Sequence, residues 1–183
     1  MSTAASPSAF EAQSIRRPII VMGVAGCGKS SVGMRLAETL GLPYQEGDDL
    51  HPQANIAKMS AGTPLNDDDR WPWLDRIGEI LTEHAASGIV LTCSSLKKAY
   101  RDRLRTAAGK ELAFVFLDGN KALLTRRMGN REGHFMPTSL LESQLATLER
   151  PDAEIGVVVV DIDNTPEAIT ALAIDGLTKL AIA

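Results

Sequence analysis

The sequence predicts an α/β fold of three layers, with helices on both faces of a parallel sheet. Wholly apolar runs at 19–22, 89–91, 112–117 and 157–160 have the length and composition of strands buried on both faces. Stretches with helical spacing separate them, and such alternation builds a parallel sheet through right-handed crossovers. A chain of 183 residues, 44% of them apolar, is long enough for one sizeable core and short for two.

Residues 1–15 (MSTAASPSAFEAQSI) are rich in Ser and Ala with little apolar pattern, and read as a disordered or weakly ordered leader before a single domain at 16–183. Arg16-Arg17 ahead of an apolar run has the outline of an export signal, but the run is too short and ends in a glycine-rich loop. The first strand is 19–22 and the first helix 29–40, stopped by Gly41 at a C′ position. A short strand is expected at Tyr44-Gln45. Helices follow at 67–86, 97–108, 121–128, 138–148 and 166–182, with Asp67 and Thr138 as N-caps and Pro166 in a first turn.

A net charge of −4 and a pI near 5.4 argue against a general electrostatic hold on nucleic acid or an anionic membrane. No apolar run approaches the roughly 20 residues of a membrane helix. Cys27 and Cys93 are the two cysteines, which implies neither a disulfide framework nor a Cys-based metal site and fits a reducing, cytoplasmic setting.

Residues 23–30 (GVAGCGKS) satisfy G-x-x-x-x-G-K-[ST] in full, after an apolar strand and before a helix, which is the context a phosphate-binding P-loop needs. Gly23, Gly26 and Gly28 let the backbone turn, so that the N–H groups of Val24, Ala25, Cys27 and their neighbours face a phosphate at a helix N-terminus. Lys29 neutralises β/γ oxygens, the Ser30 hydroxyl is a Mg²⁺ ligand, and Ser31 continues the anion-binding turn. Cys27 reads as a spacer, because phosphoryl transfer needs no thiol.

About 20 residues on, Glu46-Gly47-Asp48-Asp49-Leu50-His51-Pro52 follows the short second strand. Acids at a strand's C-terminal end point into the crevice where open α/β sheets bind ligands. In one reading Asp48 orients or deprotonates an acceptor hydroxyl and Glu46 helps hold hydrated Mg²⁺. In the other this is a solvated acidic loop that caps a helix. His51 either contacts substrate or packs on the following helix. Arg70, in a first helical turn after Asp67, Asp68 and Asp69, either grips a carboxylate bidentately or pairs with one of those acids.

The strand at 89–92 runs into Cys93-Ser94-Ser95, another anion-receptive corner, and then a basic stretch. There Lys97 and Arg101, four apart, are the candidates ahead of Arg103 and Arg105, which suit a solvated face. At 126–137 (RRMGNREGHFMP) glycines flank basic side chains between two helices. This suits a mobile lid at about 127–137 whose Arg127 and Arg131 stabilise transferring charge, with His134 a further contact; the rival reading is basic residues favoured at a helix C-terminus.

These segments together resemble the gluconokinase family, the ATP-dependent D-gluconate kinases of the shikimate-kinase-like and nucleoside-monophosphate-kinase-like group. The series is GVAGCGKS, GDDLHPQANIAKMSAGTPLNDDDRWPWL, CSSLKKAYRDRLR, FLDGNKALLTRRMGNREGHFMPTSLLESQLATLE and VVVDID, in order over most of the chain. The resemblance implies a five-stranded parallel sheet in the order 2-3-1-4-5, a homodimer, and conversion of D-gluconate and ATP to 6-phospho-D-gluconate and ADP. It supports the roles read for Asp48, Arg127 and Arg131, and it implies that His51 and Lys58 lie near the sugar acid. Related kinases usually carry Asp where this chain has Glu46. Alternatives are a shikimate or nucleoside monophosphate kinase, which shares loop, lid and sheet, and a nucleotide-dependent binding module. Against a guanine-nucleotide switch, Asn120-Lys121 is followed by Ala122-Leu123, so no N-K-x-D element is present there.

Overall fold

Strands with no polar residue must be covered on both faces, and the arrangement of the helices follows from that demand. A computed structural model of the protein describes residues 15–109, 111–129 and 138–180. In chain order they form β1 (Pro18–Met22), α1 (Lys29–Leu40), β2 (Tyr44–Gln45), a 3₁₀ turn (Gly47–Leu50), α2 (Gln53–Ser60), α3 (Asp67–Glu83), β3 (Ile89–Thr92), α4 (Lys98–Ala108), β4 (Ala113–Asp118), α5 (Lys121–Gly129), α6 (Thr138–Thr147), β5 (Val157–Asp161) and α7 (Pro166–Leu180). The five strands make one parallel sheet in the order β2-β3-β1-β4-β5, as expected.

The register assigns the two faces. Thr92, Val21, Val115 and Val158 stand in one row across the sheet. A Cβ added at Gly33 of α1 would lie 3.1 Å from the Thr92 methyl, and one at Gly176 of α7 only 2.2 Å from Val158. Thus α1 and α7, packed on each other, cover that face. Phe114 precedes Val115 and points the other way, where the Arg105 guanidinium of α4 lies 4.9 Å from its ring centroid and α3 packs against α4. All residues of β1 and β3 are buried, and the core continues through Leu36 and Leu40 of α1, Trp73 and Ile77 of α3 and Leu177 of α7.

Several local expectations change. Ile15, counted with the leader, is 2% exposed and belongs to the core; residues 1–14 lie outside the described residues. The cap of α3 is Asn66, not Asp67. Its Oδ1 accepts from Asp69 N at 2.9 Å while Asp69 Oδ2 accepts from Asn66 N at 3.0 Å, a reciprocal capping box that leaves Asp67 inside the helix. Thr138 likewise starts α6 rather than preceding it. Gly41 does close α1, at φ 63°, and Pro166 does open α7. The helix α2 was not anticipated. Among the described residues no helix is long and apolar enough to cross a membrane.

Candidate active site

β1, β2 and β3 end at one crevice, the position where an open parallel sheet leaves its loops free to hold ligands. The loop after β1 turns into α1 at Gly28, whose φ of 96° is a left-handed conformation that a side chain would strain. Lys29 Nζ donates to Val24 O at 3.1 Å, curled back over its own loop. Ala25 N, an amide expected to face phosphate, donates to Gln144 Oε1 of α6 at 2.7 Å. Cys27 is fully buried, and burial, opposed by Lys29, pushes its thiol up, so it stays an inert spacer.

After β2 the chain passes so close to β3 that Gly47 has no alternative: a Cβ there would lie 1.8 Å from Thr92 O. Gly47 N donates to Thr92 Oγ1 at 2.9 Å, and Trp73 Nε1 donates to Gly47 O at 2.8 Å. This clamp sets Glu46 and Asp48 on either side of the close approach. Glu46 accepts from Tyr44 OH at 2.7 Å and from Thr92 Oγ1. Burial works to raise its pKa, but the Ser30, Thr92 and Tyr44 hydroxyls and the Lys29 charge outweigh it, so the carboxyl is held below its ordinary value. Asp48 is different. Its side chain is 71% open to the crevice, yet the surrounding protein displaces enough water to raise its pKa; Lys29 opposes this, and Glu46 and Asp49 add to it. Two carboxylates one residue apart therefore have environments that push in opposite directions.

A Ser30 hydroxyl beside the Glu46 carboxylate, next to Lys29, suits Mg²⁺, which takes one or two protein oxygens and keeps water and phosphate for the rest. Among the described residues no group of three or more His, Cys, Asp and Glu is placed to hold a metal ion by itself.

The wall opposite the loop comes from α2, α3 and the segment between them. His51 lies flat on Trp73, ring centroids 4.0 Å apart at 16°, with Nε2 3.9 Å from Asp48 Oδ1. Burial and the Arg70 charge bring its pKa down to about 4, so the imidazole is neutral at pH 7. Arg70 is buried and lines the crevice; its Nε and Nη2 donate to Leu65 O at 3.3 and 3.2 Å. Of the alternatives left open for it, an ion pair with Asp67 or Asp69 is not what forms. Those acids hold lysines instead: Lys58 Nζ sits 2.7 and 2.8 Å from the Asp69 oxygens, and Lys97 Nζ 2.8 and 3.0 Å from those of Asp67. Ser94, at the end of β3, faces the crevice.

Two candidates need correction. Arg101 is 0% exposed: Nη1 donates to Ser95 O and Leu96 O, Nη2 to Glu149 O, and Nε and Nη2 to Glu154. It braces the turn after β3, where Ser95 has φ 46°, and is not available to a substrate. Lys97 precedes α4 and faces a separate shallow depression with Asp67, Asp68 and Tyr100. Arg127 donates to Ile162 O at 2.6 Å and, with Ser31, Pro166 and Ile169, lines a second depression that shares Gly26 and Gly28 with the crevice. Arg131 and His134 lie outside the described residues, as does the expected lid from 130 to 137. Sequence reasoning missed Asn55, Trp73, Thr92 and Gln144. The i, i+4 spacing of His51 and Asn55 was the one readable sign among them.

A phosphate-binding loop that shares one crevice with an acceptor-side carboxylate places the chain among the P-loop kinases of small molecules. It is 49% identical to the gluconokinase of Gluconobacter oxydans (strain 621H) over 157 residues, 84% of this chain and 86% of that protein, and 45% identical to the thermosensitive gluconokinase of Escherichia coli (strain K12) over 155 residues, 82% of each. The chain belongs to the gluconokinase family. The crystal structure of a gluconokinase from Sinorhizobium meliloti 1021 superposes with a TM-score of 0.87 at 52% identity, over 92% of this chain and 95% of that one. The Shikimate kinase family model matches residues 25–175, and the shikimate kinase of Aquifex aeolicus, 16% identical with a TM-score of 0.59, shares the fold.

Proposed function

We propose that this chain transfers the γ-phosphoryl group of ATP to the 6-hydroxyl of D-gluconate, giving 6-phospho-D-gluconate and ADP. One observation carries the acidic acceptor. Arg70 is the crevice-lining cation on the acceptor side that has no carboxylate partner among the described residues, whereas Lys58, Lys97 and Arg101 are each paired. A substrate carboxylate supplies the missing anion and gains two charge-assisted hydrogen bonds. The sequence relatives favour gluconate over shikimate as its source.

In this reading the phosphates lie on the loop amides and Lys29, and Ala25 N exchanges Gln144 for a phosphate oxygen. The base occupies the depression beside Arg127, Pro166 and Ile169. Ser30 and Glu46 would hold Mg²⁺, which when bound would supply positive charge to the transferring phosphate. Asp48 orients the acceptor hydroxyl and takes its proton, a role its raised pKa suits. By resemblance to the family, Arg127 and Arg131 are the residues that stabilise charge on the triphosphate. Lys58 reaches substrate by exchanging Asp69 for it. Most of the rate comes from positioning and electrostatics. A cytoplasmic homodimer belongs to the same reading, the dimer supported by resemblance alone and the compartment by two free, buried cysteines.

The test is ADP release by the purified protein with ATP, Mg²⁺ and, in separate reactions, D-gluconate, shikimate and AMP, with the product identified by ³¹P NMR. Gluconate-dependent release with a 6-phosphate product is expected. Release that depends on another acceptor, or on none, overturns the proposal.

A further inference from the structure

Asn55 is 3% exposed, on the first turn of α2, and does not itself line the crevice. Its Nδ2 has two neighbours: Asp69 O at 2.7 Å and His51 Nδ1 at 3.2 Å. The first is a carbonyl, which can only accept. That contact fixes the side-chain amide, because with the amide turned over Oδ1 would meet Asp69 O with no proton between them. The second N–H of the same nitrogen is then aimed at His51 Nδ1, which must be the acceptor.

We infer that Asn55 is a positioning residue that holds His51 in the Nε2–H tautomer, so that the ring presents a donor to the crevice beside Asp48. The other restraints on the ring agree with this. Stacking on Trp73 fixes its plane, and Trp73 is itself pinned by its bond to Gly47 O. Nε2 points at Asp48 Oδ1 across 3.9 Å, too long for a direct hydrogen bond. An acceptor hydroxyl seated against both groups receives Nε2–H on one lone pair and gives its proton to Asp48, which leaves another lone pair for the phosphorus. With the opposite tautomer, Nε2 and Asp48 would both be acceptors competing for one proton, and the hydroxyl oxygen would be unfixed. This consequence rests on the proposed transfer to a hydroxyl; the tautomer itself does not.

The test uses the full chain labelled with ¹⁵N and a long-range ¹H–¹⁵N correlation of the imidazoles at pH 7, with the His51 signals assigned by their loss in His51→Gln. Wild type is expected to show a protonated Nε2 and an unprotonated Nδ1. A protonated Nδ1, or exchange between tautomers, overturns the inference whether or not any Asn55 variant folds. Asn55→Asp puts an acceptor against Nδ1, and is expected to move the proton to Nδ1 and to lower kcat at least about tenfold, the loss of one hydrogen bond in the transition state, with a smaller change in KM for the acceptor. An Asn55→Asp protein that is folded, retains Nε2–H and keeps wild-type kcat also overturns it. Nε2–H in a protein that phosphorylates no gluconate leaves the tautomer standing and removes the proposed function.

Discussion

Replacing Arg101 by Met separates a bracing role from a substrate-binding one. The guanidinium donates to three main-chain carbonyls at 2.7, 3.1 and 3.0 Å and to Glu154, whose side chain is 14% exposed. Met fills the stem's volume and supplies no donor. Removing one member of a buried ion pair costs about 3–5 kcal/mol because the remaining charge and acceptors lose their solvation. Arg105, 2.8 Å from Glu154, offsets part of that, which puts the net loss near 3 kcal/mol. For a domain of this size each kcal/mol lowers Tm by about 2–4 °C, so Arg101→Met should melt roughly 6–12 °C lower. Glu154→Gln added to Arg101→Met should recover part of it, since the uncompensated charge is gone. The assay is differential scanning calorimetry, with steady-state kinetics well below the new Tm. There KM for gluconate should stay within about twofold of wild type. A Tm within 1–2 °C of wild type, accompanied by a tenfold rise in KM, would refute the bracing argument and return Arg101 to the substrate site.

Asp48→Asn should lower kcat by about 10²-fold or more with little change in KM for gluconate, and an unchanged kcat in steady-state assays removes Asp48 from the chemistry. Arg70→Leu should raise KM for gluconate by about 10–100-fold while KM for ATP stays within about threefold, read at a temperature where circular dichroism shows the variant folded. Gly47→Ala should cost about 2–4 kcal/mol in urea unfolding, because the atom 1.8 Å from the new Cβ is main chain and cannot yield. His51 has a folded pKa of about 4 against an ordinary 6.5, so between those values the unfolded chain binds more protons and stability rises with pH. The native state should therefore lose stability as pH falls from about 6.5 to about 4, and His51→Gln should flatten the Tm–pH profile in that window.

The sheet was legible because its strands are apolar on both faces, a pattern a run of Ile, Val and Phe states directly. The second helix was not: only Asn55 of its eight residues is buried, so no apolar stripe marks it. The nucleotide loop could be read because its function is written in contiguous residues. Which of the other candidates are free is decided by contacts between distant residues. Glu154 lies 53 residues from Arg101, Asp67 lies 30 from Lys97 and Gln144 lies 119 from Ala25, so no local spacing could show which cations were already taken. Lys97 and Arg101 looked alike as basic residues four apart; what differs is that one precedes the helix and the other lies on its buried face.

The close approach at Gly47 divides the crevice into parts with different freedom to vary. No side chain fits where β2 meets β3, so the separation between Glu46 and Asp48 is set by main-chain atoms that substitution cannot retune. The opposite wall is built from side chains of α2 and the 63–70 segment, each replaceable one at a time. A change of acceptor molecule in this scaffold can therefore arise by rewriting that wall alone, while the apparatus that delivers the phosphoryl group is inherited intact.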